Sequence, residues 1–205
     1  MKKIVSMAAL AILMCGCAQK AAHKCIAPLP AGYSVDSLSD CTVPATFTCD
    51  DFNWMGGNLT FTVFNEDLYD AVEVTQMQVG DTLIYESHPM VVSKLEDDKG
   101  VLNVNGGLEE GGCWLQGHEG GTFRAIQFDD HSIYSEMGQT ELPLADDFII
   151  IDCGENPDDP SDTIRTDQKL YLESLSENNR IFHNLNTRVR IGNGVIKEIN
   201  RKWIP

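Results

Sequence analysis

Along most of the chain, apolar and polar residues alternate instead of recurring at helical intervals. Across residues 58–64, Leu59, Phe61 and Val63 fall on one face and Thr60 and Thr62 on the other, the two-residue period of a half-buried strand. Short runs rich in β-branched or aromatic residues follow at 82–85, 90–95, 101–104, 113–115, 122–128 and 148–151. Turn formers separate them: His88-Pro89, Asp97-Asp98-Lys99-Gly100, Asn105-Gly106-Gly107 and Glu119-Gly120-Gly121. Such spacing predicts a mainly β fold, a single antiparallel barrel- or sandwich-like domain, and argues against alternating β and α units. Met77-Gln78-Val79-Gly80-Asp81 has the look of a turn feeding a small barrel, with Gly80 free to take a positive φ.

Helical signals are sparse. In 67–77, Leu68, Val72 and Met77 lie loosely on one side, but Val72 and Val74 also alternate, so at most one short turn is expected. Residues 166–177 are the better candidate for a short peripheral helix, with Leu170, Leu172 and Leu175 near one side and Thr166 or Asp167 able to cap the start. Near the C-terminus, Thr187-Arg188-Val189-Arg190-Ile191 alternates apolar and charged residues before Gly192-Asn193-Gly194. Val195, Ile196, Ile199 and Trp203 would also fit one helix face, yet the β-branched content and the Asn-Gly turn predict a hairpin.

The N-terminus follows a different logic. Lys2 and Lys3 precede an apolar run over 4–14, too short to span a bilayer as a helix, which takes ~20 residues. A removable export signal is the expected role. Leu13-Met14-Cys15-Gly16-Cys17 resembles the lipobox of bacterial lipoproteins, with Met14 where leucine is commonest. The resemblance covers about the first twenty residues and implies cleavage after Gly16, lipidation of Cys17 by palmitate-like chains, and anchoring in a bacterial cell envelope with the body facing the periplasm or exterior. Each buried methylene adds ~0.8 kcal/mol, so several chains would anchor lastingly. Residues 1–16 are then the signal peptide, 17–40 a flexible tether broken by Pro28, Pro30 and Gly32, and 41–205 one β-rich domain.

Charge narrows the partners. The chain carries a formal −16. Arg180, Arg188, Arg190, Lys197, Arg201 and Lys202 sit in the last stretch with Glu198 as its sole acid, so the remainder is strongly acidic. The basic hairpin is expected to face that remainder. Nucleic acid and anionic lipid heads are poor partners for such a surface, while a cation or a basic envelope protein suits it. Of seven cysteines, Cys15 would leave with the signal and Cys17 would be lipidated, leaving the odd set Cys25, Cys41, Cys49, Cys113 and Cys153. Cys41 and Cys49 close the shortest loop and are the expected disulfide.

Few constellations suggest chemistry. Gly112-Cys113-Trp114 resembles the nucleophile surroundings of papain-like peptidases, and His131 or His183, the latter beside Asn184, would have to fold back onto Cys113. Glu109, Glu110 and Glu119 crowd that cysteine, and negative charge raises a thiol pKa. The glycine-rich stretch 105–121 has neither the spacing nor the lysine of a phosphate loop and reads as hairpin turns. Asp158, Asp159 and Asp162 offer oxygens of the kind calcium prefers, without the ordered spacing of a known calcium loop. Asp129-Asp130-His131 is a second metal candidate, although neighbours on a strand point to opposite faces. No nucleotide, haem or flavin motif is present, so no cofactor is expected. The favoured reading is a non-enzymatic binding or interaction module. The alternatives are an envelope hydrolase using Cys113 with His183, or a calcium-binding domain.

Overall fold

The computed structural model describes residues 23–152, 163–165, 168–176 and 182–202. Its strands, in chain order, begin with β1 (Cys25–Ile26), β2 (Cys41–Thr46), β3 (Phe52–Asn53), β4 (Asn58–Glu66) and β5 (Leu68–Asp70). A one-turn helix α1 (Ala71–Thr75) precedes β6 (Thr82–Tyr85), β7 (His88–Val91), β8 (Leu95–Asp98), β9 (Val101–Val104), β10 (Cys113–His118) and β11 (Thr122–Ile126). Then come β12 (Tyr134–Asp152), β13 (Thr163–Arg165), α2 (Gln168–Ser176), β14 (Thr187–Gly192) and β15 (Val195–Arg201). The fold is mainly β, as the alternation predicts.

Five strands close on themselves. β12 pairs antiparallel with β4 along its first half and parallel with β15 along its second, while β4 joins β2, β2 joins β14 and β14 joins β15. The result is a ring in the order β2-β4-β12-β15-β14, a small Greek-key barrel of the kind that leaves no free edge in the ring. Its interior is the face read from the sequence: Leu59, Phe61 and Val63 are at most 1% exposed, and Val43, Val189 and Ile199 meet them there. Phe47 and Phe182 stack at 4.6 Å near one end. The Asn193-Gly194 turn closes the β14–β15 hairpin with φ of 54° and 74°, the left-handed conformations that such a turn requires.

The barrel is interrupted. Between β4 and β12, residues 67–133 build a second unit with its own core, including Tyr69, Leu83, Val92, Val104 and Leu115. Two sheets enclose it, β1-β6-β7 and β5-β11-β10-β9-β8. The expected single core is therefore two cores. The reason lies in turn chemistry: Asp67 amide to Ile133 carbonyl, 3.0 Å, closes the neck where the β4–β12 pairing ends at Glu66 and Tyr134, so the intervening strands pair among themselves.

Three further expectations change. The tether proposed over 17–40 is ordered structure from residue 23 onward, because Asp81 accepts the Lys24 amide at 2.8 Å, β1 pairs parallel with β6, and Ile26 and Leu38 enter the two cores. The fold is consequently not purely antiparallel. The run 90–95 breaks into two strands because the Asn105 side chain takes the Ser93 and Lys94 amides and thereby bends the chain. Cys41 and Cys49 are free thiols, not a bridge. Residues 41–46 form an extended strand at ~3.3 Å per residue, which carries Cys49 too far for the ~4.4–6.8 Å between bridged Cα atoms.

Of the basic hairpin, Arg201 pairs with Asp152 at 2.7 Å and Lys197 with Asp147 at 3.8 Å. Arg190 instead binds Glu198 within the hairpin at 3.0 Å, so only part of the positive charge faces the acidic remainder.

Candidate functional site

The inserted unit carries an open groove of about 610 Å³. One wall is the β6–β7 turn, where Glu86 and Ser87 hold φ of 47° and 63°, with Tyr85 at its start and His88, Pro89 and Met90 beyond. The opposite wall is the glycine-rich loop around Leu108, Gly111 and Gly112, and the end is closed by Gln127, Phe128 and Ile133. A groove of this size, with a lining shared between apolar and polar groups, is within the volume range of small-ligand pockets.

The glycines have a packing reason. A side-chain carbon at Gly112 would lie 1.9 Å from the Val104 carbonyl oxygen, and one at Gly107 would lie 2.0 Å from the Trp114 indole nitrogen. The loop therefore presses its backbone onto β9 and onto Trp114, which meets Phe128 edge-on at 5.5 Å. Phe128 itself is 60% exposed and sits at the start of a 3₁₀ turn whose Asp129 and Asp130 both take left-handed φ, 59° and 58°. Such conformations are uncommon for non-glycine residues and invite a functional reading.

Behind the groove lies Asp67, fully buried. Its Oδ2 accepts the Glu86 amide at 3.2 Å, and its backbone bonds both Ile133 and Ala125. Burial raises the carboxyl above its ordinary 3.8, although Ser135 and the Glu86 amide favour the anion. One buried carboxylate thus ties the neck to the groove wall.

The predicted chemistry does not assemble. Cys113 is 0% exposed within the inserted core, and burial, with the charge of Glu86 adding to it, pushes its thiol up to about 12. His183 belongs elsewhere: Phe182 is buried in the barrel core, His183 donates its amide to Asn186, and Asn184 bonds Thr46. The Cys113–His183 pairing is therefore not formed, because the two residues belong to different cores. His131 is backbone-bonded in the turn after Phe128. Asp129 and Asp130 are exposed on that turn, and among the described residues no group of three histidine, cysteine or acidic side chains is placed to hold a metal. Asp158, Asp159, Asp162 and Cys153 lie outside the described residues, as do Gly16 and Cys17.

The sequence reading missed His88, whose Nδ1 lies 2.6 Å from the Glu86 carbonyl and which lines the groove. The His88-Pro89 pair marked a turn, but nothing local indicated that the loop twenty residues on would face it. Compared with family models, characterised proteins and solved structures, the chain matches none.

Proposed function

We propose that the chain is a lipid-anchored protein of a bacterial cell envelope whose acidic β body is a non-enzymatic interaction module, with the groove of the inserted unit as its binding surface. The anchor reading rests on Leu13-Met14-Cys15-Gly16-Cys17, which would be cut after Gly16 and lipidated on Cys17. No helix among the described residues is long and apolar enough to cross a membrane.

The observation that carries the module reading is the groove itself: a lining that includes Tyr85, Met90 and the exposed Phe128, while Cys113 is sealed in the inserted core. A nucleophile must reach its substrate as a thiolate, and this one is neither exposed nor easily ionised. Two measurements test the proposal together. Metabolic labelling with palmitate should mark the protein and be lost in Cys17→Ser, which should leave the membrane fraction. Labelling or fractionation indifferent to that substitution would overturn the anchor. An iodoacetamide time course near neutral pH should modify exposed Cys25 well before Cys113, and preferential labelling of Cys113 would restore the hydrolase.

A further inference from the structure

We infer that the groove takes a cationic, apolar peptide segment: one bulky apolar side chain seated between Tyr85, Met90 and Phe128, flanked by lysines or arginines. The inference rests on the groove being the module's binding surface and goes on to name the chemistry of its occupant.

Three observations converge on that chemistry. First, Tyr85, Pro89, Met90, Leu108, Phe128 and Ile133 put apolar surface into the lining beside Glu86, His88 and Gln127, and Phe128 is 60% exposed while its ring meets Trp114 edge-on. An exposed aromatic in the lining of a groove is an anchor site for another apolar group. Second, carboxylates lie in the lining or next to it in the chain. Glu86 lines the groove, Glu109 and Glu110 follow Leu108 directly, and Asp129 and Asp130 follow Phe128 directly; all five are exposed. Third, no lysine or arginine lines the groove, and Lys94, nearby in the chain to β8, is engaged by Glu96 at 2.9 Å. Carboxylates in and beside a partly apolar lining repel phosphates, nucleotides and acidic peptides and attract cations carrying an apolar body.

A peptide fits better than a small cation. The groove is open, and the acidic residues in and beside its lining come from three separate segments, so a ligand with positive charges on both sides of its apolar group satisfies more of them at once. Strand addition to β7 is disfavoured, because Pro89 removes an amide from that edge. Recognition would therefore run through side chains.

The test uses the full-length chain in an uncharged detergent and fluorescence anisotropy with three labelled peptides of equal length. One carries a central leucine and tryptophan flanked by lysines and arginines, the second replaces the basic residues with glutamates, and the third keeps them but replaces the apolar pair with serines. The first should bind saturably and weaken several-fold as salt rises from low to physiological. Phe128→Ala and Glu86→Gln/Glu109→Gln should each weaken it about tenfold, with unchanged melting temperatures. Equal binding of the glutamate peptide, still sensitive to Phe128→Ala, would overturn the cationic ligand and leave the groove as a binding surface. Equal binding of the serine peptide would overturn the apolar anchor. Absence of binding by all three, or binding indifferent to Phe128→Ala, would overturn both this inference and the groove's assigned role. A concentration-dependent dimer that Phe128→Ala abolishes would identify a second copy as the occupant and overturn the peptide.

Discussion

Ile26→Ala separates a tether from a folded segment. Ile26 is 1% exposed and lies in the inserted core, reached through the short parallel pairing of Cys25 with Thr82 and Ile26 with Leu83. The substitution removes three carbons. At ~0.8 kcal/mol for each buried methylene the transfer loss is ~2.4 kcal/mol, and incomplete collapse of the surrounding core brings the cost to about 3 kcal/mol. In a chain of this size, each kcal/mol displaces the melting temperature by ~2–4 °C, so a fall of roughly 6–12 °C is expected. Leu29→Ala is the internal control, because Leu29 is 37% exposed and its loss should cost under ~0.5 kcal/mol. Urea unfolding of the reduced protein, followed by far-ultraviolet circular dichroism and by tryptophan fluorescence, reads both variants. An Ile26→Ala midpoint within error of wild type would mean that residues 23–26 are spacer after all, and the account of β1 would fail.

Arg201→Met should cost about 3 kcal/mol, since it removes the guanidinium from fully buried Asp152 while the Tyr171 hydroxyl stays on the carboxylate; a loss under ~1 kcal/mol in the same urea assay would show that the pair contributes little. Asp67→Asn addresses pH dependence. A carboxyl with a raised folded pKa binds more protons in the folded state, so its contribution is fully present below about 3.8 and is lost as pH rises through the raised value. The variant should therefore gain stability relative to wild type as pH rises from about 4 towards neutrality, and a difference that stays constant across that range would refute the assignment.

How much of this was legible in the sequence depends on the range of the contacts. The β4 alternation and the Asn193-Gly194 hairpin are local, and both were readable because period-two patterning and left-handed turn residues act over a few positions. The one-turn helix before Met77 was legible for the same reason: Asp70 caps it through the Val72 and Glu73 amides, and Gly80 at φ 100° ends the segment. Ring closure was not. β12 meets β4 as far as Pro143 and β15 from Leu144 onward, and although the proline marks the change, it does not name the distant strands on either side. Pro28, Pro30 and Gly32 signal a tether locally, whereas Ile26 and Leu38 are isolated apolar residues whose burial depends on Asp81 and on a barrel assembled from distant strands. The groove is the extreme case, since His88, Leu108 and Phe128 come from three separate segments that only the inserted core brings together.

The position of Asp67 gives the insertion a mechanical meaning. Glu66 still pairs with Tyr134 in the barrel, and one residue later Asp67 pairs with Ile133, so the neck is a continuation of the β4–β12 ladder. That same residue holds the Glu86 amide, and Glu86 and Ile133 are both groove walls. A displacement of the β6–β7 turn by an occupant would therefore be felt at the neck through one hydrogen bond and at Ile133 through another. Relaxation of the neck is opposed by the barrel, because its strands have no free edge along which to slide. The groove is thus held by a closed ring on one side and by tightly packed glycine backbone on the other, which lowers the ordering cost an occupant would have to meet.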